Sequence, residues 1–345
     1  MRAWKLYRVN DIRIEDTKLR EHSTDEVLVD VKAAGICGSD IPRIFRDGAH
    51  NMPLVPGHEF AGVVTESDDE TAGKRVGVFP LIPCQKCPSC MKMHYEMCQN
   101  YNYLGSRCDG AFAEQVVVPK WNLLELPDEV SYEQAAMLEP MAVSVHAIRR
   151  MNIDKDANIV VCGLGTIGLL TVMFLKEMGF LNIYVIGNKD SQYDCIIKLG
   201  IDGNAFCDTR LENPKEWLYR HTLNCGADVY FECVGKPDTI SQAIECMAPL
   251  GRVCLVGNPA DDIHIDKATY WKILRNQLVL TGTWNSSFYH DESDDWHYVI
   301  KCITEGRIHP ELLITHKFGL DELSCGLEIM HKKTDEYIKV MCTEG

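Results

Sequence analysis

The stretch ANIVVCGLGTIG, residues 157–168, decides the fold. Its apolar run from Ile159 to Cys162 closes in Gly163, and Gly165 and Gly168 complete the spacing G-x-G-x-x-G. A segment apolar at every position, not at alternate ones, suits a strand covered on both faces in a parallel sheet. Glycines at these three positions permit a tight turn, close approach of a diphosphate and close packing of the next helix. A helix opening at Thr166 and Ile167 points unpaired N–H groups at such an anion. A glycine-rich turn without a ligand is the plainer meaning of the same letters. Downstream, TIGLLTVMFLKEMG has helical spacing, NIYVIG is a second strand and DSQYDCIIKLG a second helix. The strands ADVYFECVG, GRVCLVG and QLVLTGTW follow, with helical KPDTISQAIECM among them. Such alternation marks a doubly wound α/β unit.

The end of the second strand bears on the cofactor. In a NAD-binding unit an Asp or Glu there binds the ribose 2′-hydroxyl. Here Gly187, Asn188 and Lys189 stand instead. Losing the acid removes repulsion against a 2′-phosphate, and Lys189 adds a cation. NADP(H) is therefore favoured over NAD(H), while neighbouring Asp190 keeps NAD(H) in view.

Upstream, EVLVDVKAAG, FAGVV, RVGVF and AEQVVVP read as short half-buried strands punctuated by Gly and Pro. YEQAAMLEPMAVSVHAIRR turns helical, with Ser131 and Gln134 spaced as a capping box. Pro140 kinks or divides it. These textures place a first domain at 1–148, the nucleotide-binding unit at 149–285 and a tail at 286–345. The tail holds a helix at DDWHYVIKCITEG, strand-like LLITHKF and a helix at LSCGLEIMHKK. It is short for a domain of its own; a return onto the first domain fits but is not dictated by pattern.

Cys84, Cys87, Cys90 and Cys98 are spaced C-x2-C-x2-C-x7-C. Four thiolates from one loop can enclose a zinc ion tetrahedrally, which leaves no open position and makes the zinc structural. An iron–sulfur centre usually continues C-x3-C-P, and here the fourth cysteine comes later and is followed by Gln99. Free thiols are the remaining alternative. A second, scattered set comprises Cys37 in GICGSD, His58 and Glu59 in PGHEF, and Glu139 in LEP. Thiolate, imidazole and carboxylate together suit zinc with a position left open. Taken singly they read equally well as a core cysteine, a turn histidine and surface acids, although a carboxylate between Leu138 and Pro140 is costly unless paired or liganded. An open zinc polarises an alcohol and eases loss of its proton; the carbinol hydrogen can then leave as hydride to a nicotinamide. Ser39 is spaced to accept that proton, or simply to satisfy a turn.

The 345 residues carry 35 Lys plus Arg against 50 Asp plus Glu, a net charge of -15. This acidity argues against a nucleic-acid or anionic-membrane surface. The N-terminus MRAWKLYRVNDIRIED lacks a signal-peptide core, and no apolar run reaches transmembrane length. With 16 cysteines, the chain is expected to be cytoplasmic, its thiols reduced or metal-bound. Scattered Cys162, Cys233 and Cys254 read as small buried hydrophobes.

GICGSD, PGHEFAG, CQKCPSCMKMHYEMC, DGAFAE, LEP and GLGTIG occur in this order over nearly the whole chain. On these motifs the sequence resembles the zinc-containing medium-chain dehydrogenase/reductase superfamily, and within it the polyol dehydrogenase branch. The resemblance implies an α/β protein: a GroES-like, mostly-β catalytic domain formed by the N-terminal part and the tail, with an inserted Rossmann domain and the active site in the cleft. It implies that Cys37 and His58 bind a catalytic zinc and that Glu59 and Glu139 do so directly or through water. It makes Ser39 the proton relay and Cys84, Cys87, Cys90 and Cys98 the ligands of a structural zinc. The branch mostly uses NAD and has Asp where this chain has Gly187; glycine–polar–basic is similar to the NADP-using secondary alcohol dehydrogenases. A homo-oligomer, dimer or tetramer, is also implied. The expected substrate is a small polyol phosphate or ketose phosphate, with Arg43, Arg46, His50 and Arg107 as phosphate partners, and Lys272 and Arg275 as further ones. An unphosphorylated polyol, or an inactive nucleotide-binding regulator, are the competing readings.

Overall fold

Ile159–Cys162 is a strand buried at all four positions, as its unbroken apolar run requires. In the computed structural model, which describes residues 1–344, it pairs in parallel with Ile183–Gly187 on one side and Ala227–Glu232 on the other. The six-stranded sheet runs Phe206–Asp208, Ile183–Gly187, Ile159–Cys162, Ala227–Glu232, Met247–Leu255, Val279–Gly282, all parallel. Chain order reverses beside Ile159–Cys162, so the loop after that strand opens where doubly wound sheets bind ligands. Gly163 adopts φ +91°, and a Cβ on Gly168 would lie 2.0 Å from the Gly163 carbonyl. The loop thus needs glycine for its turn and for the approach of the helix Thr166–Glu177. Trp217, Leu218, Tyr230, Ile244 and Val253 fill the core beneath.

The chain divides into two units, Met141–Ser286 around this sheet and Met1–Pro140 with the segment from Ser287 onward. The second of these is built on a sheet ordered Ile314–Phe318, Lys339–Thr343, Glu26–Ile36, Glu59–Glu66, Arg75–Val78, Leu123–Glu125, with Gln115–Pro119 also paired to Glu26–Ile36. Val29, Ile36, Phe60, Val78, Phe112, Leu327 and Val340 belong to its core. The C-terminal segment joins through Lys339–Thr343, antiparallel to Glu26–Ile36 with Val340 opposite Ile36.

The capping box at Ser131 forms in both directions with Gln134. The helical stretch divides at Met137 into Tyr132–Ala136 and Leu138–Arg149. Pro140 has no N–H for the Ala136 carbonyl and its ring crowds that carbonyl, so the first helix ends there. Two elements escape the sequence pattern. The hairpin Arg2–Arg8 with Asp11–Asp16 carries charges at half its positions, and Lys339–Thr343 begins with a lysine that reads as solvent-exposed. Among the described residues no helix is long and apolar enough to cross a membrane.

Candidate active site

The sulfurs of Cys84, Cys87, Cys90 and Cys98 lie within 4.8 Å of one another. Cys87 and Cys90 are 3.5 Å apart and Cys87 and Cys98 4.0 Å. Four sulfurs at about 2.3 Å from one zinc would stand about 3.8 Å apart, so the set fits a closed tetrahedral ion. Backbone N–H groups of Cys90 and Gln99 pull the Cys87 thiol down to about 6, whereas burial pushes Cys90 up to about 12. Thiolates held by backbone donors are prepared metal ligands.

The second set assembles at one end of three adjacent strands. Cys37 follows the end of Glu26–Ile36; Glu59 begins the next strand, opposite Gly35; Lys339 begins the strand on the other side. Donor atoms of Cys37, His58 and Glu59 fall within 4.8 Å of one another, with His58 and Glu59 buried. The imidazole Nδ1 of His58 lies 3.5 Å from Asp40 Oδ1 and makes no hydrogen bond. A thiol, an imidazole and a carboxylate converging at this distance, with Asp40 beside the imidazole at Nδ1, fit a zinc ion with an open position. The Ser39 hydroxyl donates to Cys37 Sγ at 3.3 Å.

Glu139 stands apart from that trio. It lies in the first turn of Leu138–Arg149 and accepts a hydrogen bond from the Tyr103 hydroxyl at 3.2 Å. Burial pushes its carboxyl up to about 7; the nearby Glu59 charge also raises it, while His58 and Lys339 pull it down.

Three residues that sequence patterns do not single out shape this pocket. Asp40, fully buried, accepts from the Cys37 N–H at 3.0 Å and from Arg43 at 2.5 Å. Burial opposes its charge, yet His58, Arg43 and the Cys37 N–H together hold its carboxyl below the usual range. Burial likewise disfavours a charged His58, but Asp40 and Cys37 carry its imidazole well above the ordinary value. Lys339, 1% exposed, is ion-paired to Glu59, 2% exposed, and donates to the Ile36 carbonyl at 3.2 Å. A lysine between Ile338 and Val340 in an apolar strand was the available sign, since a buried ammonium requires a partner. Tyr103 gave no such sign. Asp40 sits in GICGSD, where the letters suggest only a turn.

The phosphate candidates divide. Arg43 is taken by Asp40, and exposed Arg46 pairs with Asp47 at 2.8 Å. Arg107 lies over the Tyr101 ring at 4.4 Å, and His50 is exposed. In the other unit, Lys272 bonds the Glu245 carbonyl and Arg275 lies 5.2 Å from the Trp271 ring centre.

The glycine loop has the form a dinucleotide requires. Gly165 caps the helix Thr166–Glu177, and a Cβ there would meet nothing within 4 Å, which leaves room for a phosphate. Gly187 is buried, and a Cβ on it would meet Gln192 Oε1 at 2.6 Å and Phe206 at 3.0 Å. Gln192 instead accepts the Asn188 N–H at 2.9 Å. Lys189 precedes the helix Asp190–Lys198, and Arg210, arriving from the next strand, pairs with both Asp190 and Asp208. Arg210 was legible only as an isolated charge, because parallel pairing of Gly187 with Asp208 is what brings it here.

Residues 23–128 match the alcohol dehydrogenase GroES-like domain and residues 166–305 the zinc-binding dehydrogenase family. The chain is 33% identical over 325 residues to galactitol 1-phosphate 5-dehydrogenase of Escherichia coli K12, covering 92% of this chain and 93% of that protein. It is 31% identical to L-idonate 5-dehydrogenase of Vitis vinifera, over 93% and 88% of the two chains. The crystal structure of E. coli galactitol-1-phosphate dehydrogenase superposes with a TM-score of 0.92 at 29% identity, covering all of both chains. With its mixed α/β architecture and two metal-donor clusters, the chain belongs to the zinc-dependent medium-chain dehydrogenase/reductase superfamily, in the polyol dehydrogenase branch, and is a zinc-type NAD(P)-dependent oxidoreductase acting on a polyol-like substrate.

Proposed function

We propose that this enzyme reversibly oxidises a secondary hydroxyl of a polyol phosphate to a ketone, with galactitol 1-phosphate and tagatose 6-phosphate as the leading pair and NADP(H) as the preferred cofactor. The observation that carries this reading is the convergence of the Cys37, His58 and Glu59 donor atoms within 4.8 Å of one another, with His58 and Glu59 buried. Cys37, His58 and Glu59 would hold a catalytic zinc, with Glu139 meeting it directly or through a water, and Cys84, Cys87, Cys90 and Cys98 would hold a structural one. When bound, the catalytic zinc supplies Lewis-acid polarisation of the substrate oxygen. Asp40, 3.5 Å from Nδ1, would orient the His58 ring for the metal, and Arg43 in turn orients Asp40. Ser39 Oγ, half-buried and donating to Cys37 Sγ in the free protein, would accept the substrate's hydroxyl proton and release its own to solvent. The loop Gly163–Gly168 seats the cofactor diphosphate.

The cofactor preference rests on Gly187, Asn188 and Lys189, now joined by Arg210. A carboxylate at 187 would have to displace the Gln192 side chain and crowd Phe206, and Lys189 and Arg210 would be the cations available to a 2′-phosphate bound at this corner. A 2′-phosphate would compete with Asp190 and Asp208 for the Arg210 guanidinium. Arg46, His50 and Arg107 are the phosphate partners of choice, because Arg43 is committed to Asp40. A working dimer or tetramer in the cytoplasm is part of the same reading.

An unphosphorylated polyol is the second reading, favoured by the carboxylate pairing of Arg43 and Arg46. The deciding experiment measures kcat/KM for NAD(H) and NADP(H) against free and phosphorylated polyols and ketoses. NADPH with tagatose 6-phosphate is expected to exceed the free ketose by about 10-fold or more, the worth of one or two charge-assisted contacts. Equal rates for free and phosphorylated substrates overturn the phosphate assignment. Nucleotide binding without any turnover would point to a regulatory protein.

A further inference from the structure

The two carboxylates of the open pocket are held by different kinds of partner. Glu59 is ion-paired to the buried ammonium of Lys339. Glu139 accepts instead from a neutral phenol, Tyr103, at 3.2 Å. The Tyr103 ring also stands edge-on to the His58 imidazole, with centres 5.8 Å apart, and edge-on to Tyr101 at 6.3 Å. One side chain therefore touches both the carboxylate outside the trio and the histidine within it.

The position of Tyr103 in the chain adds a second observation. Asn102–Tyr103 pairs antiparallel with Leu81–Ile82, Leu81 opposite Tyr103. The segment between these two short strands contains all four cysteines of the closed cluster. The base of the cysteine lobe is thus the element that presents the Tyr103 hydroxyl to Glu139.

We propose that Tyr103 is a positioning residue for the open metal pocket: its hydroxyl orients the Glu139 carboxylate toward the donor set of Cys37, His58 and Glu59. This rests on the reading of that pocket as a metal site. A glutamate side chain on its own turns freely about its terminal bond. A hydrogen bond to one oxygen restricts that freedom, and outer hydrogen bonds of this kind are worth about 10–100-fold in metal affinity. Glu59 needs no such help, since Lys339 already anchors it.

The test is a Co2+ titration of metal-stripped full-length protein, followed by the visible absorption of the bound ion. Wild type is expected to take two ions per chain. Tyr103→Phe keeps the ring and its contacts with His58 and Tyr101, and should weaken the open-pocket ion by about 10–100-fold with an altered visible band, while the four-cysteine ion is unaffected. Glu139→Gln should weaken the same ion, and the double variant should bind no worse than Glu139→Gln alone. If wild type binds only the four-cysteine ion, the pocket itself is misread. If wild type binds two and Tyr103→Phe matches it within about twofold, or its effect persists undiminished in Glu139→Gln, the positioning role is overturned while the pocket stands. A fall in thermal midpoint with unchanged Co2+ affinity assigns Tyr103 to packing alone and overturns it equally.

Discussion

The four-cysteine lobe and the three-donor pocket are both metal sites by their chemistry, yet they are made in opposite ways. The lobe draws every ligand from Cys84–Cys98, one short loop, and closes the coordination sphere with four like atoms. The pocket takes Cys37, His58 and Glu59 from the ends of neighbouring strands, reaches Glu139 through Tyr103, and balances Glu59 with Lys339 from the far end of the chain. Closing a short loop costs little entropy and asks nothing of the rest of the fold. Assembling the pocket needs the sheet of the whole unit, which is how a site keeps unlike donors and an open position. The lobe should therefore behave as a matter of stability, and the pocket as a matter of chemistry.

Cys37→Ser is the strongest way to break this contrast. It should cut kcat/KM by about 10³-fold or more, because Lewis-acid stabilisation is worth several kcal/mol. Zinc content should fall from two ions per chain to one, and the thermal midpoint should hardly move. Near-normal turnover with one zinc lost would remove the pocket from the mechanism. Cys90→Ser should show the converse. It removes a ligand from the closed set, and because metal binding and folding are coupled the thermal midpoint should drop by about 10 °C, with residual turnover at low temperature. A Cys90→Ser protein that melts like wild type would make the lobe dispensable.

The same division explains what can be read from the sequence. The lobe is visible in the letters because its geometry is local: four cysteines at close spacing have few other uses. The α/β unit is visible because Ile159–Cys162 and its glycines combine a buried strand, a tight turn and a helix start in ten residues. The pocket's chemistry-bearing residues are visible only as candidates, since nothing local states that Cys37 and Glu59 end adjacent strands. Asp40 and Tyr103 escape altogether, and Lys339 leaves only its apolar neighbours as a sign. Tyr103 arrives from a separate two-stranded sheet, Asp40 turns back on Cys37 just past a strand end, and a buried charge such as Lys339 is set apart from a surface lysine chiefly by the strand pairing that buries it.

Lys339→Met sharpens the comparison by asking what the assembled site costs the fold. Removing one partner of a buried ion pair leaves Glu59 charged and unpaired, at about 3 kcal/mol. Denaturant unfolding of the metal-stripped variant should show that loss. Zinc-loaded protein should lose less, because a second cation then faces the same carboxylate. Equal losses with and without zinc would mean that Glu59 and the metal do not interact.

The smallest expected effect carries the contrast into the nucleotide-binding unit. Lys189 lies next to Gly187 in sequence, while Arg210 reaches the same corner only because Phe206–Asp208 pairs with Ile183–Gly187. Lys189→Glu should weaken NADP(H) binding by about 10-fold, about 1.4 kcal/mol, and NAD(H) by less than about threefold, since only the 2′-phosphate meets the new charge. Arg210→Ala should act in the same direction but more weakly, because its guanidinium must first be released by Asp190 and Asp208, which pair with it in the free protein. Isothermal titration with both cofactors reads each effect directly. Equal losses for NAD(H) and NADP(H) in Lys189→Glu would strip this corner of its phosphate role. An Arg210→Ala loss larger than that of Lys189→Glu would show that the residue supplied by the sheet, and not the one adjacent in sequence, discriminates between the two cofactors.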